Sequence, residues 1–557
     1  MCGFLLHFAD HLNIRTSSLL HRGPDQQYFQ RESGWQIEYF RLAITGVVDG
    51  KSPSCSVGNR YAVYLNGEIY NFRELQSLYA LPFSNSDSVT IANLVEMHGV
   101  EALKDIRGMY AFVLHDTREN ILYVARDPLG EKPLFVFNDD GQIIFGSEFR
   151  SVLDRVGGKL QLDQNAVSDY LRFNYVEEPN TFDLRIKAFP KGQLLKIYPG
   201  SQQNKFLFSL EGFSEKDIEI PLENLIYKVL DEATTTEVAS ALSLSSGLDS
   251  TTILVRKMLQ SNSQFSAITL NTSYESRVSE VAEVREHAEA VGAHLDIVST
   301  ANSPSTILLK RLILAMDQPI CDPSALNYFL IFEQARNLSK KVVFLGQGPD
   351  EFFWGYPHYY KLLAESTVSS LELNASNFLN VPQRSSRLLA CLSPRESGNV
   401  RTLNSSDPFL KSNNMWQIFR ANMVHGYLSH NGFAQIDRLS MHFSVEARSP
   451  LADSRIYGWA QHNSLKDSRS FDKAEFKNSI SLGSLEHVKQ KPKVGFRSDI
   501  TSILENRQCA PLLDEAYWEV FENNLIDWRF KYPKFILTKN EKWKVLVLGL
   551  WLNSLSS

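Results

Sequence analysis

Between residues 241 and 299 strand-like and helix-like runs alternate: "ALSLSS", helix "TTILVRKML", "FSAITL", helix "VAEVREHAEAVG", "HLDIVS". Strands separated by crossover helices must lie parallel, so this stretch specifies an α/β unit with a parallel sheet. A later strand, "KVVFLG", follows a helical stretch around 324–339, and the last 200 residues read as mainly helical. The texture before residue 200 is different. "YAVYLNGEIYNF" reads as a strand followed by tight Asn-Gly punctuation, and "ILYVARDPLG" and "QIIFGSE" are further short strands with glycine or proline stops. "LLKIYPGSQQNK" reads as a last strand and a Pro-Gly turn, with a polar connector to about residue 222. A chain of 557 residues exceeds what one core supports, so a β-rich first domain and an α/β, then helical, second domain are expected.

Bulk properties narrow the function classes. Net charge is −6, and basic residues form no long block, so nucleic acid is not an expected partner. The five cysteines (Cys2, Cys55, Cys321, Cys391, Cys509) are scattered and odd in number, which points to a reducing compartment rather than a disulfide framework or a cysteine zinc site. No apolar run is long enough for a membrane span. The first residues lack a basic segment, and Asp10 interrupts their short apolar stretch, so no signal peptide and a cytoplasmic location are expected. "GVVDGKS" at 46–52 is one residue short of a phosphate-binding loop and reads as a surface turn.

Cys2 lies directly behind the initiator methionine. Removal of Met1 would give one residue both a thiol and a free α-amine, whose ordinary pKa of about 7.7–8.0 lets it act as a base near neutrality. Downstream come "HRGPDQ" at 21–26, "RLAI" at 41–44, "NGEIYN" at 66–71 and "SDS" at 86–88, then "ARDPLGEKPLF" and "IIFGSEFRSVL". Each alone is ordinary loop chemistry. In this order behind Cys2-Gly3 they resemble the class II glutamine amidotransferases, the N-terminal-nucleophile glutaminase domains. That resemblance implies an α+β domain of antiparallel sheets layered with helices, at residues 2–205. It implies that Cys2 attacks the glutamine side-chain amide and that Asn66 and Gly67 form the oxyanion hole. It further implies that Arg41 pairs with the substrate carboxylate, while Asp87, helped by Glu68, takes its ammonium.

"LSLSSGLDSTT" at 242–252 follows a strand and opens a helix, where small residues and a helix N-terminus favour an anion. "SSGLDS" is close to the pyrophosphate loop of enzymes that split ATP to AMP and pyrophosphate, with Ser246 in place of its first glycine. "FLGQGPDEFFWGY" at 344–356, "DRLSMHFSVEARSPLAD" at 437–453 and "KPKVGF" at 491–496 follow in order. Together they resemble the asparagine synthetases, implying an α/β ATP-pyrophosphatase domain with a helical C-terminal part at residues 222–557. By that resemblance Asp249 and Asp350 hold Mg²⁺, and Ser245, Ser246, Gly247 and Ser250 cradle the phosphates. Leu244, Ile268, Gly346 and Gln347 border the ATP site, and Lys493 offsets charge as an acyl-adenylate forms. Arg448 is read as structural.

The implied activity is amidation of a carboxylate: ATP makes an acyl-adenylate, and ammonia from glutamine displaces AMP. Two positions depart from the family pattern. Gln347 replaces a glutamate, which keeps size and hydrogen bonding but loses charge, and Trp354 replaces a glycine. β-Lactam synthetases also replace that glutamate, but they lack the glutaminase cysteine. Two acceptors therefore stay open: aspartate, giving asparagine, or another carboxylate, as in a specialised metabolite or surface polysaccharide. A non-catalytic relative would be expected to lose Cys2, Asp249 or Asp350, and all three are present. Homodimerisation is left open.

Overall fold

The computed structural model describes residues 2–9, 19–48, 50–139, 141–201, 203–260, 265–271, 280–299, 306–356, 415–464, 472–492, 500–523, 525 and 537–556. Two antiparallel six-stranded sheets make up the first part. In one, strand Cys2–Phe8 lies between Trp35–Arg41 and Gln142–Gly146, and in the other Tyr61–Ile69 pairs with Gly108–Asp116. The sheets stack face to face. Phe4, Leu6 and Phe8 alternate along the first strand and join Trp35, Ile37, Tyr64, Ala111, Val113 and Val124 in one apolar layer. Leu5 points to the opposite face, into the cluster that holds Phe149 and Val152 of helix Phe149–Val156. Both faces of Cys2–Phe8 are therefore covered, and all seven of its residues are buried. Helices Phe72–Leu78 and Asp87–His98 cover the outer face of the other sheet, completing a helix–sheet–sheet–helix stack.

Two local expectations change. The strand "YAVYLNGEI" does not stop at Asn66-Gly67 but runs on to Ile69, still paired with its neighbour. Gly67 holds φ at +140° inside the strand, and a Cβ there would lie 2.0 Å from the Met109 carbonyl oxygen. The glycine thus serves close backbone approach rather than a turn. The polar connector after Pro199-Gly200 also contains structure. Strand Lys205–Ser209 turns back on Gln193–Ile197, because Leu207 and Phe208 gain cover against the second-sheet core, and helix Glu215–Glu219 follows.

The remainder centres on a five-stranded parallel sheet in the order His294–Ser299, Ser266–Asn271, Ser240–Ser243, Val342–Phe344, Glu446–Arg448. Strand order reverses at Ser240–Ser243, so the crevice beyond its C-terminal end, beside that of Val342–Phe344, is where such a sheet accepts a ligand. The two parts share one apolar core. Helix Lys539–Ser556 brings Trp551 against Phe149 and Phe182, with ring centroids 6.2 and 4.9 Å apart. Tyr170 Oη donates to the Lys544 carbonyl at 2.9 Å. Among the described residues, no helix is long and apolar enough to cross a membrane.

Buried charge joins the parts as well. Arg22, wholly buried, donates to the Cys2 carbonyl (3.1 Å), to Glu148 (3.2 Å) and to Asp437 (3.0 Å), and Lys132 reaches the same Asp437 at 3.2 Å. Burial disfavours the charged form of Glu148, but His21 and Arg22 outweigh it and bring its pKa from 4.5 down to about 2. The pair therefore stabilises the fold above about pH 4.5, and its contribution is lost as pH falls toward 2. Urea titrations across that window should show stability dropping by about 3 kcal/mol from this group. Glu148→Gln should be less stable at neutral pH and should show a flatter fall.

Candidate functional site

Two sites form, one on each part. At the first, Cys2 begins its strand opposite Arg41 in register. Its backbone nitrogen donates to Asn66 Oδ1 at 3.3 Å, which places the strand carrying Asn66 and Gly67 beside the thiol. Asn66 is completely buried, and its Nδ2 has no hydrogen-bond partner. An orphaned buried donor costs about 1–3 kcal/mol, and an acceptor oxygen brought in beside Cys2 would satisfy this one. Tyr39, unremarked in the sequence, sets its hydroxyl 3.1 Å from Cys2 Sγ and 3.0 Å from the Leu65 carbonyl.

The residues expected to grip glutamine surround this point. Arg41 Nη1 donates to Gly50 O at 3.0 Å, and Nη2 donates to Thr45 O and Gly46 O at 3.1 and 2.9 Å, so the guanidinium folds the loop over the site. Asp87 accepts from the Ile69 and Ser88 backbone nitrogens at 3.0 and 2.7 Å, and burial pushes its pKa up despite them. Glu68 turns to the other part of the molecule. One oxygen accepts from Thr45 Oγ1, and the other lies 3.3 Å from Arg448 Nη2. Burial lifts its pKa to about 8 against the pull of Arg448. Arg448 also pairs with Glu446 and donates to the Ala233 and Thr235 carbonyls, so its structural reading gains content as a tie between the two parts.

The second site lies at the switch point of the parallel sheet. Leu244 N donates to Ile268 O at 2.9 Å, closing the base of the loop. Ser250 Oγ lies 3.2 Å from the Ser245 nitrogen and 3.1 Å from its hydroxyl, curling the loop over the first turn of helix Leu248–Gln260. Ser246, in place of glycine, donates its hydroxyl to Glu280 at 3.2 Å. Gly346 packs on that same turn, where a Cβ would meet Ser250 N at 2.7 Å. This contact brings the Leu345–Gly348 loop, and with it Asp350, beside Asp249.

Asp249 and Asp350 converge on a third residue that the motifs did not reveal. Lys473 Nζ is 2.9 Å from both Asp249 oxygens and 2.9 Å from Asp350 Oδ1. Burial works against its charge, but the two carboxylates together raise its pKa. The ammonium marks a point where two hard oxygen donors already hold a cation, which fits Mg²⁺ chemistry. Among the described residues no three or more His, Cys, Asp or Glu side chains gather, so such an ion would complete its shell with phosphate oxygens and water. Gln347 Nε2 donates to Tyr328 Oη at 3.0 Å, and its Oε1 is buried without a donor. Trp354 adopts φ +62°, which glycine takes freely, and is held there by Trp416, Phe419 and the Arg420 guanidinium 4.4 Å from its ring. Lys493 lies outside the described residues.

A glutamine amidotransferase domain model matches residues 1–207, and the asparagine synthase model matches residues 222–517. The chain belongs to the asparagine synthase family. It is a ligase that couples a glutamine amidotransferase to ATP-dependent amidation. It is 26% identical to asparagine synthetase [glutamine-hydrolyzing] 1 of Bacillus subtilis, over 91% of this chain and 88% of that protein. A putative asparagine synthetase [glutamine-hydrolyzing] of Mycobacterium bovis is 27% identical, over 90% of this chain and 86% of that protein. Likeness to solved structures is low: glutamine phosphoribosylpyrophosphate amidotransferase from B. subtilis aligns with TM-score 0.25 over 62% of this chain and 76% of that one.

Gly67 offers a test of this geometry. Gly67→Ala should lose glutaminase activity and destabilise the chain by about 2 kcal/mol or more, measured as a lowered urea midpoint. The crowding falls on backbone, which cannot rotate aside.

Proposed function

We propose that the chain forms asparagine from aspartate, with glutamine as nitrogen donor and ATP split to AMP and pyrophosphate. The observation that carries the first half is Asn66, whose Oδ1 holds the Cys2 nitrogen while its buried Nδ2 waits unpartnered. With Met1 removed, the Cys2 α-amine donates one hydrogen to Asn66 and keeps its lone pair for the thiol proton. The thiolate adds to the glutamine amide carbon. Asn66 Nδ2 and the Gly67 N–H take the oxyanion, each donor worth about 3 kcal/mol of barrier. Ammonia leaves as the tetrahedral adduct collapses, and water then releases glutamate from the thioester. Arg41 and Asp87 orient glutamine by its carboxylate and ammonium. Glu68, engaged by Arg448, has a smaller share in this than the motif implies.

At the second site the loop Ser245–Ser250 receives the ATP phosphates at a helix N-terminus, with Leu244, Ile268 and Gly346 bordering the nucleotide. Asp249 and Asp350 are the residues that would hold Mg²⁺, which when bound neutralises phosphate charge. The aspartate side-chain carboxylate attacks the α-phosphorus and pyrophosphate departs. Ammonia then attacks the acyl carbon and AMP leaves. Lys493 would offset the charge that develops in adenylation.

Gln347 favours a second reading, in which the same chemistry acts on a different carboxylate. A neutral amide cannot act as a base where a glutamate would stand.

A coupled assay with glutamine, MgATP and aspartate separates the two. Asparagine and AMP in equal amounts are expected. Glutamine hydrolysis with no aspartate-dependent AMP would overturn the aspartate reading and leave the second. Cys2→Ala should abolish glutamine use while sparing ammonia-dependent turnover, and Asn66→Ala should lower glutaminase kcat about 100-fold. Lys473→Met, which removes the cation competing for Asp249 and Asp350, should make the fold less stable without Mg²⁺ and lower the Mg²⁺ concentration that gives half-maximal protection against urea.

A further inference from the structure

The Tyr39 hydroxyl stands between the nucleophile and the strand that carries the oxyanion donors. It lies 3.1 Å from Cys2 Sγ and 3.0 Å from the Leu65 carbonyl oxygen, the peptide immediately before Asn66. Tyr39 and Cys2 are each 5% exposed, so bulk water does not compete strongly for these contacts. The ring is fixed edge-on against Tyr64, with centroids 5.6 Å apart, and the residue sits on strand Trp35–Arg41, which pairs with Cys2–Phe8 in unbroken register. Position and orientation of the hydroxyl are therefore set by the sheet.

A phenol has one proton to give and lone pairs to receive with. With the thiol neutral, Tyr39 gives its proton to the Leu65 carbonyl, and the Cys2 S–H points at the phenol oxygen. Once the α-amine has taken the thiol proton, Sγ is the stronger acceptor, and the hydroxyl needs only a rotation about its C–O bond to donate to it. No heavy atom has to move. The charged acceptor makes that bond stronger than the one to the carbonyl.

We infer that Tyr39 is a further catalytic residue of the glutaminase: a hydrogen-bond donor that stabilises the Cys2 thiolate and aims it at the substrate amide. The phenol keeps its proton throughout, because burial and the neighbouring sulfur hold its pKa well above the ordinary value. The step it assists balances within the site. The thiol proton goes to the α-amine, the sulfur lone pair forms the bond to carbon, and the carbonyl π pair moves to the oxygen facing Asn66. On return, the proton on the α-amine goes to the leaving ammonia. The same hydroxyl restrains the Leu65–Asn66 peptide, so nucleophile and oxyanion donor share one reference point.

Tyr39→Phe in the full chain, with Met1 removed, tests this. The substitution keeps the ring and deletes only the oxygen. Glutaminase kcat should fall about tenfold or more, with KM for glutamine changed less than about twofold, since the lost hydrogen bond is made to a charged group only after the thiol has ionised. The rate of Cys2 alkylation by iodoacetamide, followed by mass spectrometry of the Cys2 peptide, should need a higher pH to reach half its plateau. A purely structural tyrosine would leave that pH profile in place. An unchanged profile with unchanged kcat overturns the assignment, as does a rise in KM alone. Should Tyr39→Phe melt early, Leu65 supplies a second route, because amide-to-ester replacement of the Leu65–Asn66 linkage weakens that carbonyl as an acceptor without touching the ring. It should free the hydroxyl for sulfur and move the alkylation profile to lower pH. A shift the other way, or none, rejects the proposal.

Discussion

A single buried guanidinium, Arg22, organises the molecule. It spends its donors on the Cys2 carbonyl, Glu148 and Asp437, three groups from segments remote in sequence. A fully buried arginine is tolerable only when its charge is answered by carboxylates. Those carboxylates come from both parts of the chain, so the charge can be satisfied only when the parts are docked. The strand Cys2–Phe8 is thereby referenced to the second part of the chain as well as to its own sheet. Arg448 does the converse: it belongs to the parallel sheet and reaches back to Glu68, one residue beyond Gly67.

Arg448 also links Glu68 to the Leu345–Gly348 loop by a short route. The Arg448 carbonyl accepts from Leu345 N at 2.9 Å, directly ahead of the Gly346–Gly348 turn that carries Gln347. From Glu68 to Gln347 the path is one ion pair and one backbone hydrogen bond.

Much of this was legible in the sequence, because short-range pattern decided it. The parallel sheet follows from alternation over a few dozen residues, and the loop at Ser245–Ser250 from small residues placed between strand and helix. At Asn66-Gly67 the dipeptide suggests a turn, whereas the Met109 carbonyl on the neighbouring strand is what excludes a side chain. Nothing near residue 67 announces that contact. Tyr39 and Lys473 were invisible for a related reason. A tyrosine in an alternating strand reads as core, and a lysine in "FDKAEFK" reads as solvated. Only tertiary pairing brings one to Cys2 and the other between Asp249 and Asp350. The connector after Gly200 gives a faint apolar pattern because its strand is exposed or half-buried throughout and its pairing carries a register shift.

Helix Lys539–Ser556 has a consequence for the chain as it is made. Trp551 caps Phe149, on helix Phe149–Val156, and Phe182, both in the layer outside the sheet that holds Cys2. A ribosome delivers the sheet and this layer early, and the covering helix among the last described segments. Throughout the interval the layer presents bare aromatic surface, and surface of that kind invites association with other chains. A product truncated before Trp551 would keep Cys2, Asn66, Asp249 and Asp350 and still emerge as a sticky one. The helix Lys539–Ser556 therefore bears on solubility during synthesis as well as on the finished core.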